Sequence, residues 1–530
     1  MNAQTFPGQA SFPTPSPEAT RLSASDLWNR LRQFYERRGP RAWAVDGVPN
    51  HVTINPGMAR RYAHVALRYA QDCRRLGHDA TGPFPVVEMG AGSGGFGYRL
   101  HQALTGLRDA LGMDDLRLAQ VISDMAESNL ENWRGLAGLG PLLAQGVVTG
   151  ARFDAMAGEA VGPVGREPTA PPVFLANYLF DSLPMDLFRV TGGRLHEALA
   201  TVDAPPEGDE PPDLSAVTIN WTYRPVTLPY YGDAALDATL ADCLGQPDDD
   251  YWVLFPLGAM RCLANLRGLV GGPMLVVAAD LGSTRFPSFP VEEPQLIIPG
   301  AYFYAPVDFA LLAKYAARLD GHALHQTRDR VLNISLFSFG IPFEQLRETR
   351  VAADIFFDMI SHSVIFESMR HMLDCGAPPS LPLFLDLAAA GSFDPVLFDG
   401  MIEVLQTELR AGLHPPELWE QLVAILDRFV DNVFATPGGA DTVFHIASLL
   451  QELQDYPRAL TFYERSARLF GESPATLYNM GVCAYLAGDT EDALARLARV
   501  VALDPSHVMA RGWIAQIEHD QATSPPPDAL

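Results

Sequence analysis

Apolar and polar residues follow three rhythms along this chain, and each predicts a different kind of structure. Residues 25–75 carry apolar positions at helical spacing with one break. Ser23 or Ser25 can cap a helix through LWNRLRQFYERRG that ends at Gly39-Pro40, the loop VPNHVTINP follows, and a second helix, MARRYAHVALRYAQDCRRLG, runs to Gly77. From Pro85 short apolar runs alternate with helical ones. FPVVEMG is a strand ending in an acid, and GAGSGGFGYRLHQALTGL is a glycine turn opening a helix. LRLAQVISD and MAESNLENWRGL repeat the unit, and GVVTGARFDA and PPVFLANYLFDSLP supply a third and a fourth strand. Strands alternating with helices predict an α/β domain with a doubly wound, mainly parallel, Rossmann-like sheet. Residues 191–250 interrupt this rhythm: RLHEALATVDA and AVTINWTYRPVTL, separated by the acidic APPEGDEPPD, predict an inserted antiparallel hairpin. MLVVAAD, VDFALLAKYAARLDG and HALHQTRDRVLNISLFSFG then resume and close the sheet.

Beyond residue 345 the third rhythm is purely helical. DYPRALTFYERSARL and DTEDALARLARVVAL align without a gap, Asp455 with Asp489, Ala459 with Ala493 and Leu460 with Leu494, each 34 residues apart. That period, with Gly488 and Asp504-Pro505, resembles tetratricopeptide repeats. Each helix pair has an apolar face that it buries only by stacking on a neighbour. HVMARGWIAQIEHD is expected to cap the array, and residues 360–440 to continue it in degenerate form. The expected layout is a disordered Pro/Ser-rich leader over 1–22, an α/β domain over 23–345 that includes the N-terminal helices and the hairpin, a helical region over 346–440, and repeats with a capping helix over 441–522.

Composition narrows the function. The chain has 530 residues, 48% of them apolar, enough for two to four domains. No apolar stretch is long enough to span a membrane, and the N-terminal residues lack a secretory pattern. The 38 basic and 63 acidic residues give a formal charge of −25. Such a field repels phosphate backbones, so nucleic acid is not an expected partner. Cys73, Cys243, Cys262, Cys375 and Cys483 are scattered and odd in number, which argues for a reduced, cytoplasmic setting and against a disulfide framework or a cysteine-rich zinc site. His362 and His371 share a helical stretch, but their separation puts them on roughly opposite sides of a helix, so no metal site is expected.

The chemistry concentrates in Val86-Val87-Glu88-Met89-Gly90-Ala91-Gly92-Ser93-Gly94. A strand enters a tight turn where Gly90, Gly92 and Gly94 let the backbone approach a ligand, and the next helix points its N-terminus there. Gly90, Gly92 and Gly95 also fit the dinucleotide fingerprint, a weak signal alone. Glu88 weighs against it: a carboxylate beside the turn repels a pyrophosphate and suits an ammonium group, such as that of S-adenosylmethionine. Asp124, after the next apolar run, can accept hydrogen bonds from ribose hydroxyls. Asp154, at the third strand end, can receive an adenine amino group, and Asn177, at the fourth, faces the place of methyl transfer.

The stretch from about 49 to 340 also resembles the MidA-like methyltransferases, the family of the mitochondrial complex I assembly methyltransferase that modifies a protein arginine. HVTINPGMARRYA, VVEMGAGSGGF, LANYLFDSLPMDLF and LVVAADLGS carry the resemblance. It implies S-adenosylmethionine as cofactor and places Thr53, Asn177 and Asp181 on the acceptor side. Two positions depart from the family: Tyr178 stands where an acid usually follows the asparagine, and Asp280-Leu281-Gly282 replaces Asp-Tyr-Gly. They bear on the acceptor rather than on the fold or cofactor. Asp181 is the first candidate to hold the acceptor or take its proton, Asp280 the second. The expected function is methyl transfer to a protein or peptide presented by the repeats. The alternatives are a degenerate, scaffolding methyltransferase domain and a small-molecule methyltransferase. A nicotinamide oxidoreductase is disfavoured by Glu88.

Overall fold

The structure is a computed structural model that describes residues 19–44, 48, 52–78, 82–167, 169–204, 216–245, 249–287, 296, 303–326, 332–358 and 362–523. Most of the expected leader, His51, most of the acidic segment 204–213 and part of the acidic loop 247–250 lie outside the described residues. The chain divides into two compact units, the first of residues 1–54, 58–135 and 139–359 and the second of residues 360–530 together with the short segments 55–57 and 136–138.

Three helices open the first unit: α1 (Asp26–Arg38), α2 (Arg41–Ala44) and α3 (Pro56–Arg75). Its strands, in chain order, are β1 (Thr20–Arg21), β2 (Phe84–Met89), β3 (Leu118–Asp124), β4 (Val148–Arg152), β5 (Val173–Asn177), β6 (Asp186–Thr191), β7 (Arg194–Asp203), β8 (Thr218–Pro225), β9 (Asp250–Phe255), β10 (Met274–Ser283), β11 (Val307–Asp308), β12 (Gly321–His325) and β13 (Leu332–Phe339). The helices α4 (Gly95–Ala110) and α5 (Glu127–Gly135) follow β2 and β3. The main sheet runs β12-β13-β10-β5-β2-β3-β4, with β11 beside β10. All pairs are parallel except those made by β13, which is antiparallel to both neighbours. This is a Rossmann-like sheet. Its order reverses between β2 and β5, so the carboxyl ends of those strands open a crevice where ligands bind in such folds.

The near-continuous apolar runs of these strands follow from burial on both faces. Val86, Val173, Leu175, Leu275 and Val277 join a core with α3, α4 and the helix Arg347–Phe357. Their sequence neighbours Val87, Phe174, Ala176, Val276 and Ala278 point the other way. They join a core with α1, with the helices Leu257–Val270 and Phe309–Arg318, and with a second sheet. That sheet is larger than the one hairpin expected from the sequence. It has five strands, β1-β7-β6-β9 with β8 on β7, all antiparallel. β6 and β9 are short apolar runs without clear alternation because successive residues on both faces are buried, and β1 is only two residues long.

The second unit is all-helical, with helices at His362–Asp374, Leu381–Ala390, Pro395–Arg410, Pro416–Asp431, Thr442–Glu452, Tyr456–Phe470, Pro474–Leu486, Thr490–Leu503 and Val508–Thr523. The 34-residue period has a local cause. Asp455 and Asp489 both accept a backbone N–H from three residues on, capping equivalent helices at 3.3 and 3.0 Å. Between the helix carrying Gly481 and the next, contact is close enough that a Cβ on Gly481 would lie 2.7 Å from Leu497.

One buried tie fixes the helix Arg347–Phe357 to the first unit. Asp72 of α3, with no exposed surface, accepts the backbone N–H and the hydroxyl of Thr349, both at 2.9 Å, and pairs with Arg75 at 2.7 Å. Asp72→Ala strands the Thr349 donors in a dry interior and is expected to cost roughly 3 kcal/mol. Asp72→Asn, which keeps an acceptor, should cost less than half as much, as read by chemical denaturation of the two variants side by side.

Candidate functional site

The crevice at the β2/β5 reversal is a cavity of about 380 Å³. Its floor is the turn from β2 into α4. Gly90, Gly92 and Gly94 all have positive φ, at +70°, +52° and +80°. At Gly92 the approach is also tight, since a Cβ would sit 2.6 Å from the Trp43 ring. At Gly94 the crowding comes from Leu139 and Trp133, at 2.6 and 2.9 Å. Gly94 is not part of the cavity wall. It caps α4 and lets the turn pack on Trp133, which is fully buried and whose indole N–H donates to the Gly92 carbonyl at 2.9 Å.

The other expected residues converge on the cavity. Glu88, Gly90, Gly92, Asp124, Asp154, Asn177, Asp181 and Thr53 all line it. Asp124 Oδ2 accepts the Gly92 N–H at 2.8 Å and its Oδ1 accepts the Ala126 N–H at 2.9 Å, so the acid at the end of β3 holds the turn after β2. Burial raises the Asp124 carboxyl above its usual range while these bonds oppose the shift. Glu88 is 3% exposed, and its Oε2 has no hydrogen-bond partner. Burial, then the Asp124 charge, push its carboxyl well above the usual range. Glu88 lines the cavity while its Oε2 is packed beside Gly97, and a carboxylate so placed with an unpartnered oxygen is a strong demand for a donor or a cation.

Asp154 has more partners than the sequence indicates. Its Oδ2 accepts from Arg32 of α1 at 2.7 Å and its Oδ1 from the Met156 N–H at 2.9 Å. Asn177 ends β5, and its Oδ1 accepts the hydroxyl of Tyr62, a fully buried residue of α3. The Asn177 amide nitrogen has no partner. The chain then turns through Tyr178, whose φ of +49° is rare for a residue with a side chain, into a short 3-10 turn over Phe180–Ser182. Asp181 in that turn is 4% exposed and accepts the Ser182 hydroxyl at 2.9 Å. Asp280, fully buried at the end of β10, accepts the Phe180 N–H at 2.8 Å.

The roof of the cavity is absent from the sequence reading. Trp28, Leu31, Arg32 and Tyr35 of α1 and Trp43 of α2 form it. Tyr35 and Trp43 stack at 5.8 Å. The signal was present, because positions 28, 31, 32 and 35 share one face of a helix. Such a stripe reads first as ordinary core, and part of it is core: Leu27 and Phe34 have no exposed surface. Among the described residues, the wall holds the acids Glu88, Asp124, Asp154 and Asp181 against one guanidinium, Arg32. Among the described residues, no group of three or more His, Cys, Asp or Glu could hold a metal ion.

Residues 440–506 match the tetratricopeptide repeat family model. No curated protein matches the chain. Among solved structures the chain is similar to a candidate methyl transferase from Burkholderia thailandensis bound to S-adenosyl-homocysteine, at 15% identity over 62% of this chain and 96% of that one, with a TM-score of 0.38. It is also similar to magnesium protoporphyrin IX methyltransferase from Synechocystis PCC 6803 with bound SAM, at 12% identity over 60% and 98%, TM-score 0.28. A third is the glycopeptide N-methyltransferase MtfA, at 12% identity over 51% and 92%, TM-score 0.22.

The state of Glu88 has a measurable signature in the ligand-free protein. Its folded pKa lies above its unfolded one, so between the two the folded chain binds the extra proton, and stability falls as pH rises through that window. Glu88→Gln removes the penalty. At pH 8 the variant should melt above the parent chain, and the gap should close as pH falls toward 5.

Proposed function

We propose that the first unit is an S-adenosylmethionine-dependent methyltransferase, and that its acceptor is a protein or peptide brought by the repeat unit. The observation that carries this reading is Glu88: a cavity-lining, nearly buried carboxylate with one oxygen unpartnered, beside a glycine turn, in a wall whose described residues include four acids and one guanidinium. A pyrophosphate would meet that wall with repulsion, whereas a ligand bearing an ammonium and a sulfonium would neutralise it. The residues present fit the cofactor. Glu88 would take its ammonium and Asp124 its ribose hydroxyls. The glycine turn leaves room for close approach, and Asp154 stands at the adenine end. When bound, S-adenosylmethionine supplies an activated methyl group.

The chain itself supplies position, desolvation and proton handling. The roof of α1 and α2 covers the cavity with aromatic side chains, anchored by Arg32 at Asp154, and limits water around a bound cofactor. Asn177 and Thr53 border the acceptor side, with the Tyr62 hydroxyl fixing which atom of the Asn177 amide is committed. Asp181 is the group that can hold a cationic acceptor nitrogen, a guanidinium included, or receive its proton at a carboxylate oxygen. Burial pushes Asp181 up to about 6, so it is mainly ionised, and able to accept a proton, at neutral pH. Recruitment of a peptide is the part that rests on the repeats, since stacked helix pairs present extended surfaces suited to chains.

Isothermal titration of S-adenosylmethionine into the full chain tests the cofactor site. A Kd on the order of micromolar is expected. Glu88→Ala should weaken it by more than about tenfold, a loss of about 1.4 kcal/mol. Gly92→Val should abolish it, and NAD should not bind. A cation ionises Glu88 on binding, so affinity should rise with pH across neutrality and the complex should release a proton, seen as a dependence of the heat on the buffer. Absence of binding by the parent chain would leave the repeats as the functional part and make the first unit a scaffold.

A further inference from the structure

Asp181 and Asp280 lie together at the edge of the cavity in an arrangement with an excess of negative charge. β5 and β10 are parallel neighbours with Asn177 opposite Ala279, so the turn leaving β5 folds over the end of β10. Two bonds fasten it there: the Tyr178 N–H donates to the Ala279 carbonyl at 3.0 Å, and the Phe180 N–H to Asp280 Oδ2 at 2.8 Å. The residue after Phe180 is Asp181. Both carboxyls are buried, Asp280 completely; Asp280 Oδ1 has no donor among the described residues, and the two carboxyl groups lie within hydrogen-bonding reach of one another, a bond that needs a proton on one of them. Among the described residues no ion pair involves either one. The titratable groups acting on the pair from the surrounding elements are phenols: Tyr62 of α3, Tyr178 from the turn itself, and Tyr304 ahead of β11.

Two adjacent buried carboxylates with no cation are too costly to ionise together, and one proton resolves the conflict. Exposure decides where it sits. Asp181 is part of the cavity wall and Asp280 is not. The charge therefore settles where solvent or a ligand can reach it. We infer that Asp181 and Asp280 are a one-proton pair in which Asp280, walled off from the cavity, is a positioning residue that keeps the proton and leaves the negative charge on Asp181 at the acceptor end. Burial and the Asp181 charge hold Asp280 well above the carboxylate range, in keeping with this division. The catalytic meaning rests on the methyltransferase reading, under which Asp181 receives the proton that the acceptor loses while the proton on Asp280 stays in place. The pairing itself does not depend on that reading.

The test uses the ligand-free full chain. Melting temperature is followed from pH 5 to 9 for the parent, Asp181→Asn, Asp280→Asn and the double variant. A carboxyl that is protonated when folded and ionised when unfolded loses stability as pH rises, so the parent should fall most steeply. Each single amide should relieve the conflict, raising the melting temperature at pH 8 by about 2–8 °C and flattening the fall. The double variant should melt no higher than the better single one, because one conflict is relieved once. Additive gains, or single variants with the parent's pH slope, would overturn the pair. If Asp280→Asn does not fold, infrared spectroscopy of Glu88→Gln decides. A protonated-carboxyl stretch should persist at pH 7.5, and its absence would overturn the proposal. Either result leaves the cofactor question to the titration with S-adenosylmethionine.

Discussion

The hydrogen bond from the Gly92 N–H to Asp124 is the constraint from which the cavity follows. It ties the turn after β2 to the end of β3, so two neighbouring strands finish at one place. With the turn held, α4 starts at a fixed point, the Gly92 carbonyl meets the Trp133 indole, and Glu88 is carried into a wall that gives one of its oxygens no partner. A side chain at Gly92 would collide with Trp43, so the same turn also sets how low the roof can rest. The interaction is short and charged, and removing it would leave a buried N–H without an acceptor as well as a loose turn.

Electrostatics explain why the cavity reads as a site and not as a packing flaw. Proteins rarely bury carboxylates without cations, and among the described residues no ion pair involves buried Glu88, Asp181 or Asp280. Acids elsewhere in the same unit are treated differently. Asp72 is equally dry, yet it accepts from Thr349 and pairs with Arg75. Glu197 is fully buried beneath Arg224, paired at 2.6 Å. Next to Asp72 and Glu197, the acids at and beside the crevice carry charge that no cation pairs, and there a cationic ligand or a proton can answer it.

The main sheet was legible because both of its faces are buried, which makes each strand a compact apolar run, and because the glycine turn is a local signal. Glu88 and Asp124 were legible for the same reason: each sits at the end of such a run. The second sheet was read only in part. β8 alternates and β7 lies close to it in sequence, but β6 and β9 pair across residues far apart in sequence, and nothing local marks them. Partners at a distance were also out of reach. Arg32 meets Asp154 across 122 residues and Tyr62 meets Asn177 across 115, so the sequence could name the strand-end residues without revealing which of their atoms were already engaged. Gly94 shows the opposite case, a motif residue whose glycine answers to Trp133 and Leu139 rather than to the cavity.

The roof also ties the cavity to the order in which the chain is made. α1 and α2 precede every strand of the main sheet, and β1, just ahead of them, is completed only by pairing with β7, Thr20 opposite Ala200. A nascent chain therefore carries β1 without β7 while some 180 residues are added, and Trp28 without Phe303 for longer still, separations that slow closure and leave aromatic surface open to other contacts. The earliest part of the site to be synthesised is among the last to be set in place.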